Sequence, residues 1–318
     1  MSAPPVFEGT DGINPALAAL AAGRLVAIPT ETVYGLAADA ASAEAVAHIY
    51  AAKGRPSFNP LISHVADLAM AATEGCLDER AFALADAFWP GPLTLVVPAN
   101  EGGKSCELAR AGLGTIGLRV PGHPVTRQLL DAFGGPLAAP SANPSGRLSP
   151  TTAADVARAF GDEVALVVDG GPCEAGIESA IVSVLPDDSP RLLRPGAISR
   201  SALENVVGPL ADRVSSDINA PGQLSSHYAP AATLRLNATT CRRGEVLLSF
   251  GPTAPPGLNL SPTGDTVEAA ANLYRMLREL DGQGAEAIAV MAIPDEGLGE
   301  AINDRLRRAA APRDETLT

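Results

Sequence analysis

Lysine is almost missing from this sequence: of 23 basic residues, only Lys53 and Lys104 are lysines. Acidic residues number 36 and the formal net charge is -13. So negative a chain does not bind nucleic acid with its whole surface, although a local basic groove is compatible with that balance. Cysteine is scarce too. Cys76, Cys106, Cys173 and Cys241 show no C-x-x-C spacing, and the four histidines gather neither near them nor near one another. That removes the sequence basis for a disulfide framework or a zinc site. There is no run of about 20 apolar residues and no basic-then-apolar opening, so no membrane span or signal peptide is predicted and a cytoplasmic protein is expected. G-x-x-x-x-G-K-S/T, G-x-S-x-G and H-E-x-x-H are missing as well, which takes support from Walker-type nucleotide enzymes, hydrolase triads and zincins.

What is present is enough chain for two domains: 318 residues, 46% of them apolar. The 31 glycines and 28 prolines follow no triplet period and punctuate many turns. Asn14-Pro15, an Ala-Leu run and Gly23 predict a helix with an Asn N-cap and a Gly stop, followed by a strand over 24–29. Ser42 to Ala52 predicts another helix, ended by Gly54. Further strands are expected at 92–98, 116–121, 136–140, 165–171, 180–185 and 191–196, with helices near 79–88, 124–133 and 152–160. Strands and helices do not alternate strictly, which predicts an α/β domain on a twisted open sheet of mixed direction.

Between 212 and 230 the pattern breaks into "DRVSSDINAPGQLSSHYAP", polar and turn-rich. Beyond it come strands at 232–237 and 245–250, a helix from Asp265, a strand at 287–293 and a last helix near 297–310. Asp265 and Glu268 read as a capping box, with Val267, Ala270, Tyr274 and Leu277 as the apolar face. The expected division is 1–211, a linker over 212–230, and a smaller Rossmann-like α/β domain over 231–318.

Three constellations carry polar chemistry. "KGRPSFNPLISH" sets Lys53 and Arg55 one residue apart on a proline-closed loop, which suits either a polyphosphate or a solvated helix end. "APSANPSGRLSPTT" follows a strand with small hydroxyl and amide side chains, which suits either a phosphate cradle or a plain Ser/Pro loop with a helix cap. Arg119 in "GLRVP" and Arg194 in "LLRPGAI" interrupt apolar strands, where an Arg is costly unless it meets an anion or an acid. "IPTETVYGL" adds Thr30, Glu31, Thr32 and Tyr34 at the end of an apolar strand, where such groups need partners.

Taken in order, "PTETVYGL", "KGRPSFNPL", "WPGPLTLV", "GLRVP", "APSAN" with "PSG", and "LRPGAI" resemble the threonylcarbamoyl-AMP synthase family. "HYAP" at 227–230 and "GLGEAINDRLRRAA" resemble its two-domain form. The resemblance implies a twisted sheet with a large concave groove. It also implies that L-threonine, bicarbonate and ATP, with Mg2+, give L-threonylcarbamoyladenylate and pyrophosphate. A separate transferase complex then uses the adenylate on tRNA, beside the anticodon. By resemblance Thr32, Tyr34, His64 and Arg119, with backbone at Ala139, would hold threonine, Arg119 on its carboxylate. Lys53 and Arg55 would act on the triphosphate. Asn59, Thr115, Ser141, Asn143, Ser149, Ser179 and Arg194 would hold the rest of ATP, and Tyr228 would close over the site and keep water out. No protein side chain is expected to bind the metal, which travels with the ATP phosphates.

The sequence departs from the family at Ala180, where Thr usually follows the Ser, and in the residues before His227. Two other classes compete. A groove of this kind also suits a double-stranded-RNA binder, which the -13 charge disfavours. A carbamoyltransferase of metalloenzyme maturation would bring zinc-finger-like cysteine pairs, which this chain lacks.

Overall fold

A computed structural model of the chain describes residues 3–212 and 227–312. In the first part, the strands are β1 (Val6–Glu8), β2 (Val26–Ile28), β3 (Gly35–Asp39), β4 (Ile62–His64), β5 (Leu93–Pro98), β6 (Thr115–Arg119), β7 (Leu137–Ala138), β8 (Leu166–Asp169), β9 (Ala180–Ser183), β10 (Arg191–Arg194) and β11 (Ala211–Asp212). The helices between them are α1 (Ile13–Ala21), α2 (Ala43–Lys53), α3 (Leu68–Glu74), α4 (Glu79–Phe88), α5 (Pro124–Phe133), α6 (Ala153–Ala159) and α7 (Arg200–Val207). The strands form one sheet in the order β1-β8-β2-β3-β7-β4-β6-β5-β9-β10-β11, with parallel and antiparallel pairs mixed along it. This is the mixed sheet the sequence predicts.

The second part contains β12 (Thr233–Arg235), β13 (Glu245–Ser249), β14 (Leu258–Asn259), α8 (Thr266–Gly282), β15 (Ala287–Val290) and α9 (Gly299–Ala310). Its sheet, ordered β12-β15-β13-β14, is parallel throughout. Parallel strands need covered faces, and α8 buries Leu273, Tyr274 and Leu277 while α9 buries Ile302 and Leu306. The same apolar cluster takes in Val33, Leu148 and Ile177 from the first part, so the two sheets share a core. Most of the expected linker, 213–226, lies outside the described residues, whereas 227–230 is described. No helix among the described residues is long and apolar enough to cross a membrane.

Local chemistry explains where the elements stop. Ser42 caps α2 by accepting from Ala45 N at 3.2 Å, and Gly54 ends it at φ 57°, a left-handed position that favours glycine. Two predicted caps are corrected. A 3-10 turn over Gly9–Gly12 leads directly into α1, so Asn14 lies inside the helix and does not cap it. Asp265 does cap α8, accepting from Val267 N at 2.7 Å, but Glu268 turns away to accept from Ser261 Oγ, and Val267 is exposed instead of lying on the apolar face.

Candidate active site

The strand end in "IPTETVYGL" builds its own turn. Thr30 Oγ1 donates to Val33 O at 2.7 Å and accepts from Thr32 N at 3.1 Å and Val33 N at 3.2 Å, which frees Glu31 and Thr32 to face a neighbour. That neighbour is Arg119, whose Nη2 donates to Glu31 Oε1 at 2.5 Å and to Thr32 Oγ1 at 3.0 Å. Arg119 Nε donates to Gly91 O at 3.3 Å, so the "WPGP" turn backs the guanidinium. Gly122 N holds the second oxygen of Glu31 at 2.8 Å. Burial raises the Glu31 carboxyl, but the charge and hydrogen bond of Arg119 outweigh it and leave the pKa below its ordinary value. The parallel register of β4 and β6 sets His64 opposite Arg119. Burial, with Arg119 adding to it, pushes His64 down to about 3 and keeps it neutral, and its Nδ1 has no hydrogen-bond partner.

A second group of cations lies on the other side. Lys53, at the end of α2, donates Nζ to Ser141 O at 2.6 Å and also to Asn143 O. Arg55 donates Nε to Asn59 O at 3.2 Å and Nη2 to Pro60 O at 2.9 Å. Both side chains are buried, and among the described residues no carboxylate pairs with either. Burial, reinforced by Arg55, therefore holds Lys53 well below its ordinary value, and burial brings Arg55 down to about 10. Arg194 reaches the same region because the β9–β10 register shifts between Leu192 and Arg194, a bulge that re-aims the side chain. Its Nη2 donates to Ser179 O at 2.9 Å and Ser179 Oγ at 3.2 Å. Gly196 makes this possible: a Cβ there would come within 2.1 Å of Ala180 N. Where the family usually carries a Thr, Ala180 is buried, and Thr94 across the strand pair supplies the hydroxyl beside Ser179, at 2.8 Å.

Thr32, Arg55, His64, Arg119, Ala139, Ser141, Ser179, Arg194 and Tyr228 wall one cavity of about 40 Å³. Six other candidates lie elsewhere. Tyr34, fully buried, donates its hydroxyl to Gly171 O at 2.8 Å and Asp169 Oδ1 at 3.1 Å, so it fastens β3 to the loop after β8 and does not line the cavity. Thr115 pairs with Pro98 at the far end of β6. Ser149 is buried behind Glu178, to which it donates at 2.5 Å. Asn143 faces a wider cleft of about 300 Å³ on the outer side of segment 227–230. Lys53 and Asn59 support the wall from behind. Sequence reasoning missed Glu178, Thr30 and His227 as lining residues. Only the position of Glu178, just before Ser179, could have pointed to it.

Segment 227–230 narrows the expected groove. Ala229 N donates to Gly146 O at 2.8 Å, and the bridge between Arg147 and Ala229 fixes the crossing. His227 and Tyr228 then become part of the wall. Seven buried side-chain atoms among the described residues lack hydrogen-bond partners, and five of them belong to Asn59, His64, Asn143 and His227. Orphan polar atoms are rare and call for an explanation, which a polar ligand in the cavity would supply for His64 and His227.

Fold and site together define a two-domain α/β protein with a cation-walled ligand cavity at the domain junction. The Sua5/YciO/YrdC family model, described as telomere recombination, matches residues 18–196, and a model described as threonylcarbamoyl-AMP synthase, C-terminal domain, matches residues 198–311. The chain is 40% identical to the threonylcarbamoyl-AMP synthase of Bacillus subtilis, over 95% of this chain and 93% of that one. It also resembles Pyrococcus abyssi Sua5 crystallised with L-threonine, at a TM-score of 0.87 and 34% identity, covering 96% of this chain and 97% of that one. A variant of the same P. abyssi protein with a His and a Tyr both changed to Ala is similar at a TM-score of 0.84 and 31% identity, covering 96% of each chain. This chain belongs to the threonylcarbamoyl-AMP synthase family, in its two-domain form.

Proposed function

We propose that this protein forms L-threonylcarbamoyladenylate and pyrophosphate from L-threonine, bicarbonate or CO2, and ATP. The adenylate then serves a transferase complex that places the threonylcarbamoyl group on N6 of an adenosine beside the tRNA anticodon. A cytoplasmic location is part of the same proposal. One observation carries it: among the described residues the buried cations Lys53 and Arg55 are satisfied by carbonyl oxygens alone, Arg55 lining and Lys53 backing a cavity whose other end holds the Arg119, Thr32 and His64 group.

The chemistry suits those two ends. Threonine's amine adds to the carbon of CO2, a C–O π bond opening as the C–N bond forms and the nitrogen losing a proton, or to bicarbonate with loss of water, and either way gives the carbamate. A carbamate oxygen then attacks the α-phosphorus, the α–β P–O bond breaks, and pyrophosphate leaves with the electron pair. Two anions must be brought into line, so positioning and charge neutralisation matter more than a protein nucleophile. Arg119 with Thr32 and His64 takes threonine. Arg55, Ser141, Ser179 and Arg194 take the nucleotide, and Lys53 exchanges its carbonyl partners for phosphate oxygens. Tyr228 keeps water from the mixed anhydride.

Mg2+ fits as part of the nucleotide substrate, where it screens the phosphate charge. The wall carboxylate Glu178 is already engaged by Arg305, and Glu31, beside the wall, by Arg119. A cavity of about 40 Å³ holds a water or two. ATP therefore enters only when segment 227–230 lifts.

The test is pyrophosphate release from Mg–ATP with bicarbonate, with and without L-threonine, followed by mass analysis of the product. Threonine-dependent release with a threonylcarbamoyl-AMP mass is the expected result. Folded protein that releases none with L-threonine or L-serine, yet binds RNA in a salt-sensitive way, would move the assignment to an RNA binder.

A further inference from the structure

In the sequence, "NDRLRRAA" is a basic helix end, and basic side chains near a helix C-terminus are ordinarily solvated. Arg305 is not. It is 1% exposed, on the face of α9 that also buries Ala301, Ile302, Leu306 and Ala309. An Arg placed there destabilises the fold unless a partner compensates it. Its partners come from the other domain, from the segment over the cavity and from its own helix. Nε donates to Glu178 Oε2 at 2.8 Å, across 127 residues of sequence, and Nη1 donates to Asp304 Oδ2 at 2.8 Å. Nη2 is buried without a hydrogen-bond partner, and the guanidinium carbon lies 5.1 Å from the centre of the Tyr228 ring, where a π face substitutes for an acceptor.

Glu178 is the hub of this contact. Its carboxylate accepts from Ser149 Oγ at 2.5 Å, from Tyr274 OH at 3.0 and 3.1 Å, and from Arg305. Burial raises the carboxyl, but Arg305 first and Arg194 second pull it down to about 2, so it is ionised at neutral pH. Glu178 and Tyr228 both line the cavity, whereas Arg305 and Tyr274 stand behind them. The domains also meet where there is no room for adjustment: a Cβ on Gly176, two residues before Glu178, would come within 2.5 Å of Ala271 Cα on α8. His227 N donates to Arg308 O at 3.3 Å, a second tie from the segment to α9.

We propose that Arg305 is a positioning residue of the synthase site: from the second domain it fixes the Glu178 carboxylate and the Tyr228 ring as the nucleotide-side wall. The second domain is thus a working part of the site and more than an appended module. The assignment of that wall to ATP rests on the function proposed above.

The experiment uses the full-length protein. Calorimetric titration with Mg–ATP, and separately with L-threonine, is run on the wild type and on Arg305→Met, Arg305→Lys and Glu178→Gln/Arg305→Met, together with pyrophosphate release. Arg275, in an exposed i,i+4 pair with Glu279, provides Arg275→Ala as a control. Arg305→Met is expected to weaken Mg–ATP binding about tenfold while threonine affinity stays within about twofold, and Arg305→Lys recovers part of the loss. If Arg305→Met is unfolded, the neutral Glu178→Gln/Arg305→Met pair replaces it, because removing both charges restores folding without restoring the wall. A folded variant that binds Mg–ATP as the wild type does overturns the proposal, whatever its melting temperature. A wild type that binds Mg–ATP but gives no threonine-dependent pyrophosphate overturns the synthase assignment alone, and a wild type that binds no Mg–ATP overturns both.

Discussion

The two ends of the cavity bury cations in opposite ways. At the β6 end Arg119 has a carboxylate, Glu31, at 2.5 Å, and the pair is nearly neutral before any ligand arrives. At the α2 end, among the described residues, Lys53 and Arg55 have only carbonyl dipoles, and burial lowers both of their pKa values. A compensated cation is cheap to keep and serves to orient a small zwitterion. Uncompensated cations are costly to keep, and a ligand bringing several negative charges would offset that cost. Under the proposed function, that asymmetry matches an amino-acid end and a polyphosphate end.

The largest expected effect breaks the comparison at its costly end. Lys53→Ala and Arg55→Ala should each lower threonine-dependent pyrophosphate release about 100-fold or more, as loss of a charge-stabilising donor does, while the melting temperature stays level or rises. Equal losses of activity and folding would show that these cations are structural. Next comes a cut away from both ends. Leu277→Ala in α8, 1% exposed, should cost about 2–5 kcal/mol in denaturant unfolding and leave the kinetic constants of the folded enzyme unchanged. Glu31→Gln sharpens the comparison at the neutral end: Arg119 loses its charged partner, and KM for threonine should rise about tenfold with KM for ATP unmoved.

The smallest effect is in the acid limb of stability, followed by melting against pH. Glu178 is held at about 2 against an ordinary 4.5, so its contribution is fully present above about pH 4.5 and is lost as pH falls towards 2. His64 and His227 are held near 3 against 6.5, so the unfolded chain takes up protons first and stability already declines as pH falls below about 6.5. Glu178→Gln should flatten the lower part of that limb and His64→Gln the upper part. An unchanged profile in either variant would mean that the group is solvated in the folded protein.

Sequence gave fair sight of elements whose signals are local. Ser42 and Gly54 bracket α2 because capping and a left-handed stop each need only one residue type at one position. The 3-10 turn before α1 hid its start, since Asn14-Pro15 fits a cap equally well. β3 and β4 went unread: one is small and apolar, the other three residues long, and neither has enough alternation to register. Arg119 and Arg194 were legible as costly buried cations. Their immediate partners were not, because Glu31 lies 88 residues from Arg119. The family resemblance puts Tyr34 at the ligand, whereas its hydroxyl belongs to Gly171, 137 residues on. Ser149 and Glu178 illustrate the same limit, since their network closes only when the second domain docks.

The scarcity of lysine gives the buried Lys53 an unplanned use. Acylating reagents meet two side-chain amines in this protein, the exposed Lys104 and the 4%-exposed Lys53. Lys104 should label at the rate of a free amine. Lys53 should label only as often as the site opens, so the ratio of the two rates, read on one peptide map, would clock the opening of the cavity, and its slowing under Mg–ATP would measure occupancy without any assay of turnover.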